Sequence, residues 1–177
     1  MKKVISTYPQ AKKFENKIIE FILKSDCKNI ENTNFKYPAA GAALADKVLI
    51  NNNAFNQPFE MFLFILFHEI AHQYQYKKYG AEKMYEFYND EISVDDCAKY
   101  MKYVEVIADE FATRKVREFF KLGAFKRLPN FNGFYKNIEL SYFKNFISKI
   151  REHMIDKDIS SPEKISEIMY NYIKAEI

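Results

Sequence analysis

The segment that most constrains the fold of this chain runs from Met61 to His72, where seven apolar residues lead directly into the pentapeptide HEIAH. The pentapeptide begins at His68 and ends at His72, and these are two of the three histidines in the chain. Residues four apart lie one turn apart on the same face of an α-helix. Met61 and Ile65 continue that face towards the start of the helix. The segment therefore predicts a buried helix that presents both imidazoles on one side.

The pattern H-E-x-x-H on a helix is typical of zinc sites that activate water. Both histidines would bind the metal, whereas Glu69, rotated by about 100° around the helix, would reach a metal-bound water. A catalytic zinc has three protein ligands and keeps one position for water or substrate. The metal lowers the pKa of that water, and the carboxylate accepts its proton. The alternative is a pair of helix histidines that bind no metal.

A third ligand is required, and the best candidate is Glu105 in the segment EVIADEFATR. Glu105 and Asp109 are four apart and share a helix face. The small residues Ala108 and Ala112 lie beside them and would allow close approach to the motif helix. Glu105 then completes a site of two histidines and one glutamate, and Asp109 accepts a hydrogen bond from a ligating imidazole. The alternative is an acidic face exposed to solvent.

Other candidates for the third ligand are weaker. The extension H-E-x-x-H-x-x-G-x-x-H is absent, because Gln75 and Lys78 occupy its glycine and histidine positions. His153 is distant along the chain and is typical of a partly exposed helix residue. The acidic residues that compete less well with Glu105 are Glu91, Asp95, Asp96 and Glu110.

Length and composition predict a globular, mainly helical protein. A chain of 177 residues fits one domain over 1–177, with a core over about 47–116 and C-terminal helices over about 137–177. Hydrophobic residues make up 48% and charged residues 29%, which is typical of globular chains. Four glycines and five prolines favour helices over a turn-rich β-sandwich. The predicted fold is α+β and predominantly helical, with a small antiparallel sheet before the motif helix.

Charge and cysteine usage bear on partners and compartment. The net charge of +3 is spread along the chain without a basic stripe, so no nucleic-acid partner is expected. The N-terminus lacks the apolar stretch of a signal peptide, and the apolar run before His68 is too short to span a membrane. Cys27 and Cys97 form no C-x-x-C pair, which favours reduced thiols. The expected compartment is the cytoplasm, and the sequence does not indicate the oligomeric state.

Periodicity and capping signals predict the elements. Gly80 and Gly123 are expected to end the two longest helices, and Ser93 with Asp96 forms a capping box that opens the second. The predicted helices cover 9–24, 57–79, 81–88, 93–122, 137–154 and 160 to the C-terminus. The predicted strands cover 32–40 and 47–51, with 41–46 as their connection.

The two motifs together resemble those of gluzincins, the zincin metallopeptidases with a glutamate as third ligand. The segment EVIADEFATR is similar to the ImmA/IrrE-type metallopeptidases of bacteria and mobile elements. Those pair H-E-x-x-H with a later E-x-x-A-[ND]-x-F-A, filled here by Glu105, Ala108, Asp109, Phe111 and Ala112. The resemblance implies that His68, His72 and Glu105 are ligands and Glu69 the catalytic base. It also implies an edge strand at 47–53 along which a substrate peptide lies.

The predicted function is therefore a zinc-dependent metallopeptidase with one Zn2+ per chain and a peptide or protein substrate. By analogy, it would be an accessory factor of a phage or mobile element. A second hypothesis is a catalytically silent binding protein that keeps the zincin fold and acts by occupying a partner. A third is a metal-free helical bundle with a coincidental motif. The sequence does not single out an oxyanion-stabilising residue, although 13 tyrosines and His153 are available.

Overall fold

A computed structural model describes residues 1–25, 27, 29–36, 39–88, 91–120, 134–154 and 161–174. The α-helices are α1 (Lys2–Thr7), α2 (Glu15–Lys24), α3 (Phe59–Tyr79), α4 (Ala81–Tyr85), α5 (Val94–Phe119), α6 (Phe134–Asn137), α7 (Leu140–Met154) and α8 (Pro162–Ile173). The strands are β1 (Ile30–Thr33), β2 (Gly41–Ala43) and β3 (Val48–Asn51). Short 3-10 helices cover Pro9–Phe14, Asn52–Asn56 and Glu86–Tyr88. The prediction of an α+β, mainly helical chain is confirmed.

Helix α3 carries the H-E-x-x-H motif, and its bounds agree with the prediction. Pro58 precedes its first turn, where proline fits because the first N–H groups of a helix have no partner within it. Gly80 follows its last residue with a φ of 84°, a conformation that favours glycine. Every residue from Phe62 to Gln73 is buried. The central turns of α3 are therefore buried on every face of the helix, not on one stripe alone.

Helix α5 packs along α3 and contains the second motif. It begins as predicted at Ser93, whose Oγ accepts a hydrogen bond from the backbone N–H of Asp96 at 3.1 Å. Ala108 and Ala112 are fully buried, and their small side chains permit close packing of the helix. The helix ends at Phe119. The predicted end at Leu122 and the stop at Gly123 lie outside the described residues.

The sheet differs from the predicted antiparallel pair of strands. The strand order is β1-β3-β2, and β2 is antiparallel to β3, but β1 is parallel to it. The predicted connection at 41–46 contains β2, which a turn joins to β3 through a 2.8 Å hydrogen bond from the Leu44 N–H to the Lys47 carbonyl. The predicted strand over 32–40 is wrong in extent, because β1 ends at Thr33.

Strand β3 is the central strand of this sheet, so the prediction of an edge strand at 47–53 is wrong. All four residues of β3 are buried, with β1 on one side and β2 on the other. After Asn51 the chain enters a 3-10 helix and leaves the sheet. Within the three described strands, the edge next to α3 is β2.

The predicted helix over 9–24 is divided in the structure. Pro9–Phe14 forms a 3-10 helix, and α2 begins only at Glu15. Tyr8 is buried, and its hydroxyl donates a hydrogen bond to the Gln57 carbonyl at 2.8 Å. This bond ties the chain before Pro9 to the start of α3.

The C-terminal helices lie close to their predicted positions. Helix α7 ends at Met154 as predicted, but it starts at Leu140, because α6 forms a separate short turn before it. Helix α8 opens at Ser161, whose Oγ accepts a hydrogen bond from the Lys164 N–H at 3.4 Å. Among the described residues, no helix combines the length and the apolar character that crossing a membrane requires.

Two groups of buried side chains fill the space between these elements. The first, which we call the aromatic core, surrounds the first half of α3 and includes Phe59, Phe62, Phe67 and Phe119. The second, which we call the C-terminal core, joins α7 and α8 to the sheet and to α5 and includes Phe143, Ile147, Met154, Met169 and Ile173. The H-E-x-x-H motif follows the aromatic core along α3 and faces towards the C-terminal core.

Candidate metal centre

The structure brings the three predicted ligands together where α3 and α5 meet. The Nε2 atoms of His68 and His72 are 3.2 Å apart. The carboxylate of Glu105 lies 2.9 Å from His68 Nε2 through Oε2 and 3.5 Å from His72 Nε2 through Oε1. These residues form a group of donor atoms, all within 4.8 Å of one another, that could hold a metal ion.

Asp109 lies behind His68, one turn along α5 from Glu105. Its Oδ1 is 3.0 Å from His68 Nδ1, and its Oδ2 accepts a hydrogen bond from the Tyr135 N–H at 3.0 Å. Asp109 is almost fully buried, and the ring of Tyr135 stacks on the His68 imidazole with centroids 5.4 Å apart. The carboxylate therefore stands where a partner that orients the ligating imidazole is needed.

Gln75 does for His72 what Asp109 does for His68, and sequence reasoning missed it. Its Oε1 is 2.7 Å from His72 Nδ1, and its Nε2 donates a hydrogen bond to the Val104 carbonyl at 3.0 Å. Because a carbonyl can only accept, this second bond fixes the orientation of the Gln75 amide. His72 Nδ1 must then carry the proton. The spacing of three residues after His72 on one helix face was the available signal.

The donor set fits a divalent metal ion. With Nδ1 of each histidine facing Asp109 or Gln75, the two Nε2 atoms face each other over 3.2 Å, and the Glu105 carboxylate lies beside both. A positive charge, carried either by a proton on Nε2 or by a metal ion, is needed to hold the two nitrogens and the carboxylate together. Two nitrogen ligands of a tetrahedral zinc lie about 3.3 Å apart, from bond lengths of about 2.0–2.1 Å. The separations of 2.9, 3.2 and 3.5 Å found here are close to that value.

The electrostatics of the group favour positive charge at its centre. Burial acts to lower the pKa of His68, but hydrogen bonds to Asp109 and Glu105 outweigh it and raise that pKa to about 10. Burial also opposes charge on His72, yet Glu105 raises its pKa as well. Burial acts against ionisation of Glu105, but the two histidines hold the pKa of its carboxyl far below the usual range. The carboxylates thus attract the charge that a metal ion would carry.

Glu69 is buried beside the ligand group. Burial raises the pKa of its carboxyl to about 7, and the two histidines limit the rise. A carboxyl group in this range can both accept and return a proton near neutral pH. Glu69 borders the same cavity as His68, His72 and Glu105. It therefore lies where a group that moves protons at the metal would be required.

Strand β2 passes so close to Glu69 that a larger residue at position 41 would displace the Glu69 side chain. A Cβ atom at Gly41 would lie 2.6 Å from Glu69 Cγ and 2.7 Å from Oε1, which is closer than carbon atoms approach in proteins. The side chain of Glu69 therefore rests directly on the backbone of β2. Gly41 was predicted only as part of a loop, and its role depends on the three-dimensional position of β2.

The other candidates lie outside the ligand group. Asp95 pairs with Lys144 at 2.8 Å, and Asp96 accepts from Lys99 at 3.0 Å. The ring of His153 packs on Tyr172 at 5.2 Å. Within the described part of the chain, the converging metal-ligand atoms come from His68, His72 and Glu105. The predicted third ligand at Glu105 thus has no competitor among the weaker candidates.

Comparison of the chain with known protein families, with curated proteins and with solved structures finds no match. The resemblance to gluzincins therefore stays a prediction. The site is defined by its own residues, which are two imidazoles and a carboxylate that could hold one metal ion beside a buried carboxyl group.

Proposed function

We propose that this protein is a zinc-dependent metallopeptidase of the gluzincin type, which hydrolyses peptide bonds. The observation that carries the proposal is the convergence of two Nε2 atoms and one carboxylate, with a further buried carboxyl group adjoining them. Two histidines and one glutamate form a known catalytic zinc set that leaves a position for water or substrate. The cavity that these ligands border supports the proposal, because a substrate would reach that position through it.

Each residue of the site would have one task. His68, His72 and Glu105 would hold zinc, while Asp109 and Gln75, each facing an Nδ1 atom, would keep the two imidazoles in the tautomer that presents Nε2 to the metal. When bound, zinc supplies Lewis acidity, which makes a water molecule acidic near neutral pH and polarises a peptide carbonyl. Glu69 would take the proton from the attacking water and pass it to the leaving amine.

The peptide would lie along β2. This strand is an edge among the described strands, and the backbone at Gly41 touches Glu69. An extended peptide added to such an edge gains main-chain hydrogen bonds without demanding a particular sequence. We therefore propose that β2, and not the predicted segment at 47–53, is the strand that pairs with the substrate.

The test compares the wild type with Glu69→Gln, a substitution that keeps the shape of the side chain and removes the base. Both proteins are loaded with zinc, and metal content is measured by elemental mass spectrometry. Hydrolysis is then measured on a mixed peptide library. We expect about one zinc per chain in both proteins and a loss of at least about 100-fold in hydrolysis for Glu69→Gln.

Two outcomes contradict the proposal in different ways. A wild type that takes up no zinc excludes the metal site. A wild type that binds zinc but cleaves no peptide, and acts equally well with Glu69→Gln in its biological setting, supports the binding-protein hypothesis instead.

A further inference from the structure

A second cavity lies between α5 and α6, and the described residues that border it are all different from those beside the ligand group. Its volume is about 420 Å3, within the range of roughly 300–1,000 Å3 that is typical of small-ligand pockets. We call it the basic pocket. Its charged and hydroxyl-bearing residues are Asp109, Glu110, Thr113, Arg114, Arg117 and Lys136.

We propose that the basic pocket binds a phosphoryl group, carried by a small molecule or by a phosphorylated side chain of a peptide. This inference goes beyond the proposed peptidase function and does not depend on it, because neither a predicted zinc ligand nor Glu69 borders the pocket. Three observations carry it: the cations at the rim of the pocket, the engagement of its buried carboxylate, and an unpaired hydroxyl group at its floor.

Three exposed cationic side chains form the rim. Arg114 and Arg117 are three residues apart and therefore neighbours on the surface of α5, and Lys136 borders the same cavity from α6. The forked N–H groups of a guanidinium match the oxygens of a phosphate, and an ammonium adds a further donor. Like charges repel one another, so an anion between these side chains would be stabilised by all three.

Two carboxylates also border the pocket, but they do not cancel its positive charge. Asp109 is buried, and both of its oxygens already have partners, which are His68 Nδ1 at 3.0 Å and the Tyr135 N–H at 3.0 Å. Glu110 is exposed and offsets one of the three cations. The remaining charge of about +2 matches a phosphate monoester, which carries about −1.5 to −2 near neutral pH. A single carboxylate would offset only half of it.

The floor of the pocket contains a hydroxyl group that lacks a partner. Thr113 is only 3% exposed, and its Oγ1 has no hydrogen-bond partner among the described residues. Threonine hydroxyls within helices can bond to the carbonyl one turn earlier, but this one does not. Buried polar atoms are nearly always hydrogen-bonded, so an unpaired hydroxyl beside a basic pocket indicates an acceptor supplied by a ligand. A phosphoryl oxygen is such an acceptor.

The first test measures the melting temperature of the full chain in inorganic phosphate and in O-phospho-L-serine, each against sodium chloride of equal ionic strength. Acetate and L-serine are the controls. A ligand that binds only the folded chain raises the melting temperature, and we expect a rise of roughly 3 °C or more at about 10 mM of either phosphoryl probe. No rise above chloride, or an equal rise in acetate, would overturn the proposal.

The same titrations distinguish the two sources of the phosphoryl group. Tighter binding of O-phospho-L-serine than of inorganic phosphate supports a phosphorylated side chain as the ligand. Equal binding of the two probes supports a site for free phosphate.

Substitutions on α5 locate the anion. Arg114→Gln and Arg117→Gln should each raise the Kd for phosphate by about tenfold or more, because each removes charged hydrogen-bond donors. Lys115→Gln is the matched control, since Lys115 carries the same charge on the same helix but pairs with Glu118 at 2.8 Å and does not border the pocket. An equal loss of affinity in all three variants would indicate general charge attraction and overturn the site.

Thr113→Val tests the hydroxyl group separately. The substitution removes Oγ1 and keeps the branched shape, so without phosphate the melting temperature should stay the same or rise. Phosphate should then bind several-fold more weakly than to the wild type. A lower melting temperature with an unchanged Kd would show that the hydroxyl serves the fold and would overturn its part in the site. These experiments measure neither metal content nor hydrolysis, so their failure leaves the proposed function standing, and the reverse also holds.

Discussion

The aromatic core and the C-terminal core bury similar side chains, but these side chains are packed differently. In the aromatic core the rings meet each other directly, as in Phe21 with Phe67 at 4.8 Å and Phe67 with Phe119 at 5.1 Å. In the C-terminal core, Phe143 and Met169 border the cavity beside the ligands. The first core fixes the helix that carries the histidines. The second borders a cavity beside the ligand group, so the packing that supports the motif helix and the open space at the ligands lie in different parts of the molecule.

The largest effect should come from removing one ring from each core. Phe67→Ala and Phe143→Ala each delete a fully buried phenylalanine, so each should cost about 3–5 kcal/mol in the free energy of unfolding. Only Phe143→Ala should also change kcat/KM for peptide hydrolysis in the folded protein, because Phe143 borders the cavity beside the ligand group and Phe67 does not. Denaturant titration measures the stability and a peptide-hydrolysis assay the kinetic parameter. An equal change of kcat/KM in folded Phe67→Ala would show that the two cores do not differ in this way.

The effect of losing a metal ligand should be distinguishable from the effect of a substitution in either core. Glu105→Ala removes one of three donors, and zinc affinity should fall by more than the roughly 10- to 100-fold expected when a group behind a ligand is lost. Glu110→Ala is the matched control, because Glu110 is exposed on the same helix. Competition with a coloured chelator measures the affinity. An unchanged affinity in Glu105→Ala would remove the third ligand from the site.

Gly41 tests whether β2 belongs to the reactive side of the molecule. Gly41→Ala places a Cβ atom on the Glu69 side chain and should displace it, which we expect to lower kcat by about 100-fold with zinc content unchanged. The control is the same substitution in the Glu69→Gln background, where it should have little further effect. An equal loss in both backgrounds would mean that Gly41 acts on the fold and not through Glu69.

The smallest expected effect distinguishes the roles of two glutamines on α3. Gln75 contacts His72, whereas Gln73, equally buried, donates to the Leu44 carbonyl at 2.6 Å in the turn between β2 and β3. Gln75→Met should weaken zinc binding by about 10- to 100-fold. Gln73→Met should lower the melting temperature and leave zinc affinity unchanged. Equal zinc affinities in the two variants would show that Gln75 does not support zinc binding through His72.

Local signals explain which parts of this structure were predictable. The ends of α3 follow from Pro58 and Gly80, and the start of α5 follows from the Ser93 cap, since each depends on a few neighbouring residues. The spacing of His68 and His72 likewise places both on one face. The convergence of Glu105 with them was predicted because a metal site with two histidines requires a further ligand.

The predictions that were wrong or missing concern features that depend on contacts between residues far apart in the sequence. Parallel pairing of β1 with β3 joins Ile30 to Val48, although β2 lies between them along the chain, and no local pattern specifies that register. Strand β2 is short and made of small residues, so it has no hydrophobic alternation to detect. Gln75 was considered only as the residue at the glycine position of a longer zinc motif. Its amide is oriented by the Val104 carbonyl on another helix, a contact that the sequence of α3 does not reveal.

The burial of α3 from Phe62 to Gln73 has a consequence for exchange rates. Segments with few buried contacts open locally without unfolding of the whole protein, but this part of α3 is buried throughout. Its amide hydrogens should therefore exchange only through global unfolding. An ion held by His68 and His72 cannot escape by fraying of the helix, so its residence time should be set by passage through the cavity and should not change at denaturant concentrations below the unfolding transition.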